Sequence, residues 1–204
     1  MVDIEEQNRG KSAEISSENL TALIEKAKEG HKWSLGELIG IFQDQIFRMI
    51  FYRTRSQMDA EDLTQEVFLR AYKNIHKLSD TFFFRSWLFG IAVNCVRDFH
   101  RKRRFFSLFG SDGKVENEEQ IYDEDVSLEN LLKKEFWECI TKLSDQLPNQ
   151  EREVFFLRFI DHLSIREIAQ TLEKNESTIK THLYRAIKKF KEDEETMRMV
   201  EGGL

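Results

Sequence analysis

Two kinds of side chain in this sequence recur at spacings that can do chemistry. The first is acidic. Asp59, Glu61, Asp62 and Glu66 stand within two helical turns, and Asp62 and Glu66 share one face. Carboxylates one turn apart can share a proton or a metal ion, but acid–base catalysis needs a convergent His, Lys or nucleophile, and none accompanies them. The second kind is basic and polar. Asn94, Arg97, Arg101 and Arg104 line up at helical spacing, and Ser177, Thr181, Tyr184, Arg185 and Lys188 do so again. An amide beside guanidinium groups, or hydroxyls beside cations, is suited to hydrogen bonding with base edges and phosphates. The five His are scattered, and the two cysteines, Cys95 and Cys139, lie among apolar neighbours in different halves of the chain. No Cys–His pair has zinc spacing, so neither metal nor cofactor is expected and both thiols are read as core.

Stepping outward, 204 residues suffice for one large or two small domains. A single Pro and nine Gly point to an all-α chain. The net charge of −6 does not by itself suggest nucleic acid. The charge is segregated, however: 97–104 is basic, 112–129 acidic and 174–191 basic again. No apolar run reaches membrane length and no signal-peptide pattern opens the chain, so a cytoplasmic location is expected.

The elements that must carry these side chains follow from apolar period. Residues 1–17 are polar without periodicity and read as a disordered arm. Leu20, Leu23, Ile24 and Ala27 open a helix that breaks at Gly30. A second helix, about 34–53, has Leu35, Leu38, Ile39, Phe42, Ile46, Met49 and Ile50 on a wide core face. Asp59 is placed to cap a third, with Leu63, Val67, Phe68, Ala71, Tyr72 and Ile75 turned inward. Its other face presents Asp62, Gln65, Glu66 and Leu69. A fourth helix, about 84–104, buries Trp87, Leu88, Ile91, Ala92, Cys95, Val96 and Phe99 behind the Asn94–Arg104 row. Before it stand Phe82, Phe83 and Phe84; exposed aromatics beside a basic groove can stack single-stranded bases, whereas buried ones are core.

The stretch 105–127 opens with FFSLF, turns acidic, and reads as a linker. Its roughly twenty residues can extend on the order of 60 Å, about two DNA turns. A helix over 128–146 follows, and Pro148 is placed in the first turn of the next. Ser164 with Glu167 makes a capping box and Leu163 with Ile168 a hydrophobic staple, so a short helix starts at Ser164. After the turn EKNE, Ser177 can cap a second helix with Ile179, Leu183, Ala186, Ile187 and Phe190 inward. Two such helices form a helix-turn-helix whose second member enters a major groove, or alternatively an ordinary hairpin with a solvated basic face.

The run DAEDLTQEVFLRAYKNI, then WLFGIAVN with Asp98 and RKRR, then LP, REVFFLR, LSIREIAQTL and STIKTHLYRAIKKF, resembles the two-domain extracytoplasmic-function sigma factors of bacterial RNA polymerase, over 18–192. The resemblance implies two helical domains, 18–104 and 128–192, a linker at 105–127 and a tail at 193–204. It implies core polymerase and promoter DNA as partners, an anti-sigma protein as a further one, and no catalysis. By it, Asp62, Gln65, Glu66 and Leu69 dock on the polymerase clamp. Trp87, Asn94, Arg97, Arg101, Lys102, Arg103 and Arg104 read and melt the minus-ten element. Ser177, Thr178, Lys180, Thr181, Tyr184, Arg185 and Lys188 read the minus-thirty-five element. The chain departs from the family where the loop FRGxSxF, which holds a flipped base, is LSDTFFF here, where Glu173 replaces a common turn Gly, and where STIK replaces GTVK; Asn175 can supply a left-handed residue in that turn. The competing reading is a helix-turn-helix regulator that binds duplex DNA without polymerase; a metal-dependent nuclease using 59–66 is a third.

Overall fold

The computed structural model describes residues 17–109, 142, 144 and 146–192, and the regular structure among them is helical. The chain divides into two units, Met1–Gln120 and Ile121–Leu204. In the first, α1 (Ser17–Lys28), α2 (Lys32–Thr54), α3 (Gln57–Asn74) and α4 (Phe84–Phe109) pack together, with single 3-10 turns at Ile75–Lys77 and Thr81–Phe83 between the last two. The second holds α5 (Asn149–Phe159), α6 (Ile165–Thr171) and α7 (Glu176–Glu192).

Helix ends explain where the chain turns. Gly30, at φ 92°, lets its own N–H reach Ala27 O while His31 N–H reaches Lys26 O, a paired closure that satisfies two end carbonyls of α1. Arg55 takes the same left-handed conformation at φ 56° after α2, its N–H bonded to Phe51 O at 2.8 Å. Ser56 is then extended and caps α3, its Oγ accepting from Asp59 N–H. The cap is therefore Ser56 and not Asp59. Asp59 sits in the first turn, where its charge still favours the helix dipole.

The apolar period of α2 is realised as buried Leu38, Phe42, Ile46, Met49 and Ile50, with Leu35 and Ile39 only half-buried at its edge, met by Val67, Phe68 and Ala71 of α3 and Leu88, Ala92, Cys95 and Val96 of α4. Each fully buried Leu, Ile or Val contributes roughly 1.5–3 kcal/mol over leaving it in water. Phe89 and Val93 also belong to this core, though the apolar stripe read from sequence left them out. Tyr72, expected inward, is 48% exposed: the buried stripe of α3 is centred on Val67, Phe68, Ala71 and Ile75, and Tyr72 falls at its edge.

α4 does not stop at Arg104. It runs on through Phe105 to Phe109, so the first residues assigned to the linker are helical. No Gly, Pro or Asn interrupts 105–109, and extending an existing helix costs far less than nucleating one. The rest of the expected linker, the arm before Ser17, Cys139, the tail 193–204 and nearly all of the helix expected over 128–146 lie outside the described residues.

In the second unit Pro148 is the extended residue before α5 rather than part of its first turn, its carbonyl accepting from Arg152 N–H at 3.0 Å. Leu147, Phe155 and Ala186 form a core against which Phe190 packs, its ring stacked on Phe155 at 4.2 Å. Leu163 and Ile168 are both fully buried, as a hydrophobic staple requires. Ser164 Oγ accepts from Glu167 N–H while the Glu167 carboxylate accepts from Ser164 N–H, which completes the capping box.

Candidate nucleic-acid and polymerase interfaces

The turn between α6 and α7 sets the direction of the second helix. Glu173 itself takes the left-handed conformation, φ 53°, with its N–H on Gln170 O and Lys174 N–H on Ala169 O. This is the closure that Gly30 makes in the first unit, here made by a residue with a Cβ. Asn175, read as the candidate for that role, does something else: its Oδ1 accepts from Thr178 N–H and from Ser177 Oγ, each at 2.8 Å. The cap of α7 is thus Asn175 and not Ser177. Ser177 lies in the first turn, exposed, and its carbonyl accepts from Thr181 Oγ1 at 2.9 Å.

Behind this turn Ile179 and Ala186 are buried and Leu183, Ile187 and Phe190 half-buried, so the packed stripe holds α7 as the period implied. Ser177, Lys180, Thr181, Tyr184, Arg185 and Lys188 are exposed, Tyr184 by 69%, and Thr178 is half-buried. Lys180 pairs with Glu176 and Lys188 with Glu192, each at 3.7 Å on the surface, where such pairs are easily exchanged for a phosphate. Lys189 is different: it reaches the buried carboxylate of Glu151 on α5 at 3.4 Å and ties the two helices. Nothing in the local sequence marks that pair, since it joins residues far apart in the chain.

On α4, Asn94, Arg97, Arg101 and Arg104 are all exposed along one face, with Lys102 exposed and Arg103 half-buried beside them. Arg97 Nη1 donates to Asn94 Oδ1 at 3.3 Å. Trp87 is half-buried, with its ring 5.8 Å from Phe84. The three phenylalanines before the helix divide. Phe84 is core, 5.4 Å from Phe42; Phe83 is half-buried; Phe82 is 69% exposed, its backbone N–H held by Asp80 Oδ1 at 2.9 Å. Of these three, Phe82 and, in part, Phe83 are open to solvent.

The α3 face presents Asp62, Gln65 and Leu69 to solvent, with Met58 and Tyr72 also exposed above and below them. Glu66 is less free than expected: Arg70 Nε donates to its Oε1 at 2.7 Å. That bond, with the carboxylates around it, raises the Arg70 pKa above its ordinary value against the opposing effect of burial. Arg70 also approaches Asp98 of α4, at 3.5 Å, and Asp98 accepts from Arg101 at 3.0 Å. The Glu66–Arg70 spacing is visible in sequence, but the link to Asp98 exists only once α3 packs on α4. Beneath it, burial pushes the Cys95 thiol pKa up, offset by the nearby Arg70 charge. Among the described residues no cluster of His, Cys, Asp and Glu is arranged to hold a metal ion, and no helix is long and apolar enough to cross a membrane.

Comparison with known proteins bears on both units. The family model described as Sigma-70 region 2 matches residues 38–106, and that for Sigma-70, region 4 matches 137–190. The ECF RNA polymerase sigma factor BldN of Streptomyces coelicolor is 35% identical over 89% of this chain and 68% of its own length. This chain is a member of the ECF sigma factors. SigW of Bacillus subtilis, another ECF RNA polymerase sigma factor, is 28% identical over 79% of this chain and 89% of its own. The fold agrees with that of CnrH, solved in complex with the cytosolic domain of CnrY, at a TM-score of 0.62 and 22% identity, covering 84% of this chain and 94% of that one. Membership in this family sets the work of the chain as that of a sigma factor, which directs RNA polymerase to promoters, and the duplex-only regulator falls away.

Proposed function

We propose that the two units divide promoter recognition between them. Within the second unit, residues 128–192 read the minus-thirty-five element in duplex form through the exposed face of α7, with Arg185 and Tyr184 toward base edges and Ser177, Thr181, Lys180 and Lys188 toward the backbone. Within the first unit, residues 18–104 dock on core polymerase through Asp62, Gln65, Glu66 and Leu69, and hold one strand of the minus-ten element along α4. The observation that carries this reading is the exposed Asn94–Arg97–Arg101–Arg104 row on α4, in the same unit as the exposed ring of Phe82. Melting exposes bases at a cost in stacking, and an aromatic platform returns roughly 1–3 kcal/mol per base held. A duplex reader needs the cations but not the aromatic platform.

Phe82 and Phe83 then take the place of the base pocket in the LSDTFFF loop, and Phe84 only supports it from the core. The half-buried Trp87 and Arg103 act at the edge of the α4 face, and Lys102 on its flank. Acting only by binding, the chain needs no catalytic residue or cofactor of its own. Because CnrH is solved with CnrY, and RpoE of Bartonella quintana with the anti-sigma factor NepR, a protein regulator that masks these faces is part of the proposal. Run-off transcription with purified core polymerase on genomic fragments tests it: discrete start sites that require the chain are expected, and none would refute it.

A further inference from the structure

Arg70 stands between the two faces of the first unit and has no part in either so far. Its Nε donates to Glu66 Oε1 at 2.7 Å, on the face assigned to polymerase. Its Nη1 lies 3.5 Å from Asp98 Oδ2, and the other oxygen of Asp98 accepts from Arg101 Nη2 at 3.0 Å, on the face assigned to DNA. One guanidinium thus serves two carboxylates on different helices, and one carboxylate serves two guanidinium groups. We propose that Arg70 is a positioning residue that couples docking of Glu66 on the polymerase to release of Arg101 toward the DNA backbone. This rests on the two assignments made above.

The physical sequence is a redistribution of shared charge. In the free chain Arg70 is committed chiefly to Glu66, so Asp98 is incompletely neutralised and retains Arg101. A cation on the polymerase that takes up Glu66 frees the Arg70 fork, whose planar geometry suits a two-point grip on a carboxylate. The 3.5 Å approach to Asp98 has room to shorten. As Asp98 is neutralised, its hold on Arg101 weakens, and Arg101, the most exposed member of the network, turns to a phosphate. Coupling of this kind is reciprocal: DNA held by Arg101 favours polymerase bound at Glu66. All four side chains are partly exposed and screened, so the coupling is small, about two- to five-fold in affinity.

The test uses the full chain with purified core polymerase, measuring core affinity with and without a single-stranded minus-ten oligonucleotide. The oligonucleotide is expected to tighten core binding in the wild type, and Arg70→Gln to reduce that enhancement about two- to five-fold. In an Arg101→Ala background Arg70→Gln should add nothing, because the relay already lacks its last member. Asp98→Asn should raise oligonucleotide affinity of the chain without polymerase, and most of that gain should vanish in an Arg101→Ala background, whereas a general loss of negative charge would raise affinity equally in both. Equal enhancement in wild type and Arg70→Gln, or a further loss in the Arg101→Ala background, overturns the relay. If Arg70→Gln does not fold, Asp98→Asn carries the test, and no gain there, or an equal gain in the Arg101→Ala background, overturns it. Loss of the underlying assignments looks different: Glu66→Gln would leave core affinity intact, or Arg101→Ala would leave oligonucleotide affinity intact, and the relay would fall with them.

Discussion

The left-handed residue in the helix-turn-helix offers a sharp test of the local structure. Glu173 stands at φ 53°, a conformation that costs a residue with a Cβ roughly 1–2 kcal/mol. Replacing it with Gly removes that strain, while the extra freedom of Gly in the unfolded chain takes back about 0.5–1 kcal/mol. The net expectation for Glu173→Gly is a stabilisation of roughly 0.5–1 kcal/mol, confined to the second unit. Both closing hydrogen bonds, Glu173 N–H to Gln170 O and Lys174 N–H to Ala169 O, are backbone bonds and survive the change. Asn175 is the control. It caps α7 with two bonds to its Oδ1, so Asn175→Ala should cost about 1 kcal/mol and Asn175→Gly only a few tenths. Native-state amide exchange across α6 and α7 reads the difference locally, with protection expected to rise about two- to five-fold in Glu173→Gly. Destabilisation by Glu173→Gly together with stabilisation by Asn175→Gly would show that the left-handed residue is Asn175 and that the cap is wrongly placed.

Reversing charge at Asp62 and Glu66 to Lys should weaken core-polymerase binding; the exposed Asp62 change should leave helicity and thermal midpoint nearly unaltered, and the Glu66 change, which also breaks the bond to Arg70, should cost up to about 1 kcal/mol of stability. Wild-type affinity would remove that face from the interface. Arg185→Ala should cost roughly 1–3 kcal/mol of promoter binding and relax preference at one or two upstream base pairs, whereas Lys188→Ala should weaken all sequences alike and flatten the salt dependence. A promoter library scored for both variants separates a base reader from a phosphate contact. Cys95 is 1% exposed with its thiol pKa raised by burial, so alkylation of its peptide at neutral pH should track global unfolding in denaturant; rapid labelling under native conditions would place Cys95 outside the core.

What the sequence disclosed was whatever is encoded locally. The period of Leu38 through Ile50, the Ser164–Glu167 box and the break at Gly30 are short-range patterns, and each stands in the structure as read. The errors share a cause. Ser56 and Asp59, and Asn175 and Ser177, are capping residues close together in sequence, and only the backbone decides between them; Pro148 fits the first turn and the residue before it equally well by φ, and its extended ψ decides. Arg55, His162 and Glu173 adopt positive φ without a Gly to announce it. α4 passed its expected end because no residue there signals a stop. Within the candidate site, the exposed rows on α4 and α7 were legible from spacing. The division of Phe82 from Phe84, the exposure of Tyr72, and the Arg70–Asp98 and Lys189–Glu151 pairs depend on which helix packs against which, and that is a tertiary fact.

Strand opening is the step that divides a sigma factor from any duplex reader. Permanganate footprinting of promoter thymines, with the full chain and core polymerase on a fragment that yields run-off product, measures it directly. Thymines of the minus-ten element should become reactive only when both proteins are present, and Asn94→Ala with Arg97→Ala should reduce that reactivity while binding at the upstream element persists. A complex that occupies the promoter yet never exposes thymines, even with nucleotides supplied, would contradict the role assigned to α4.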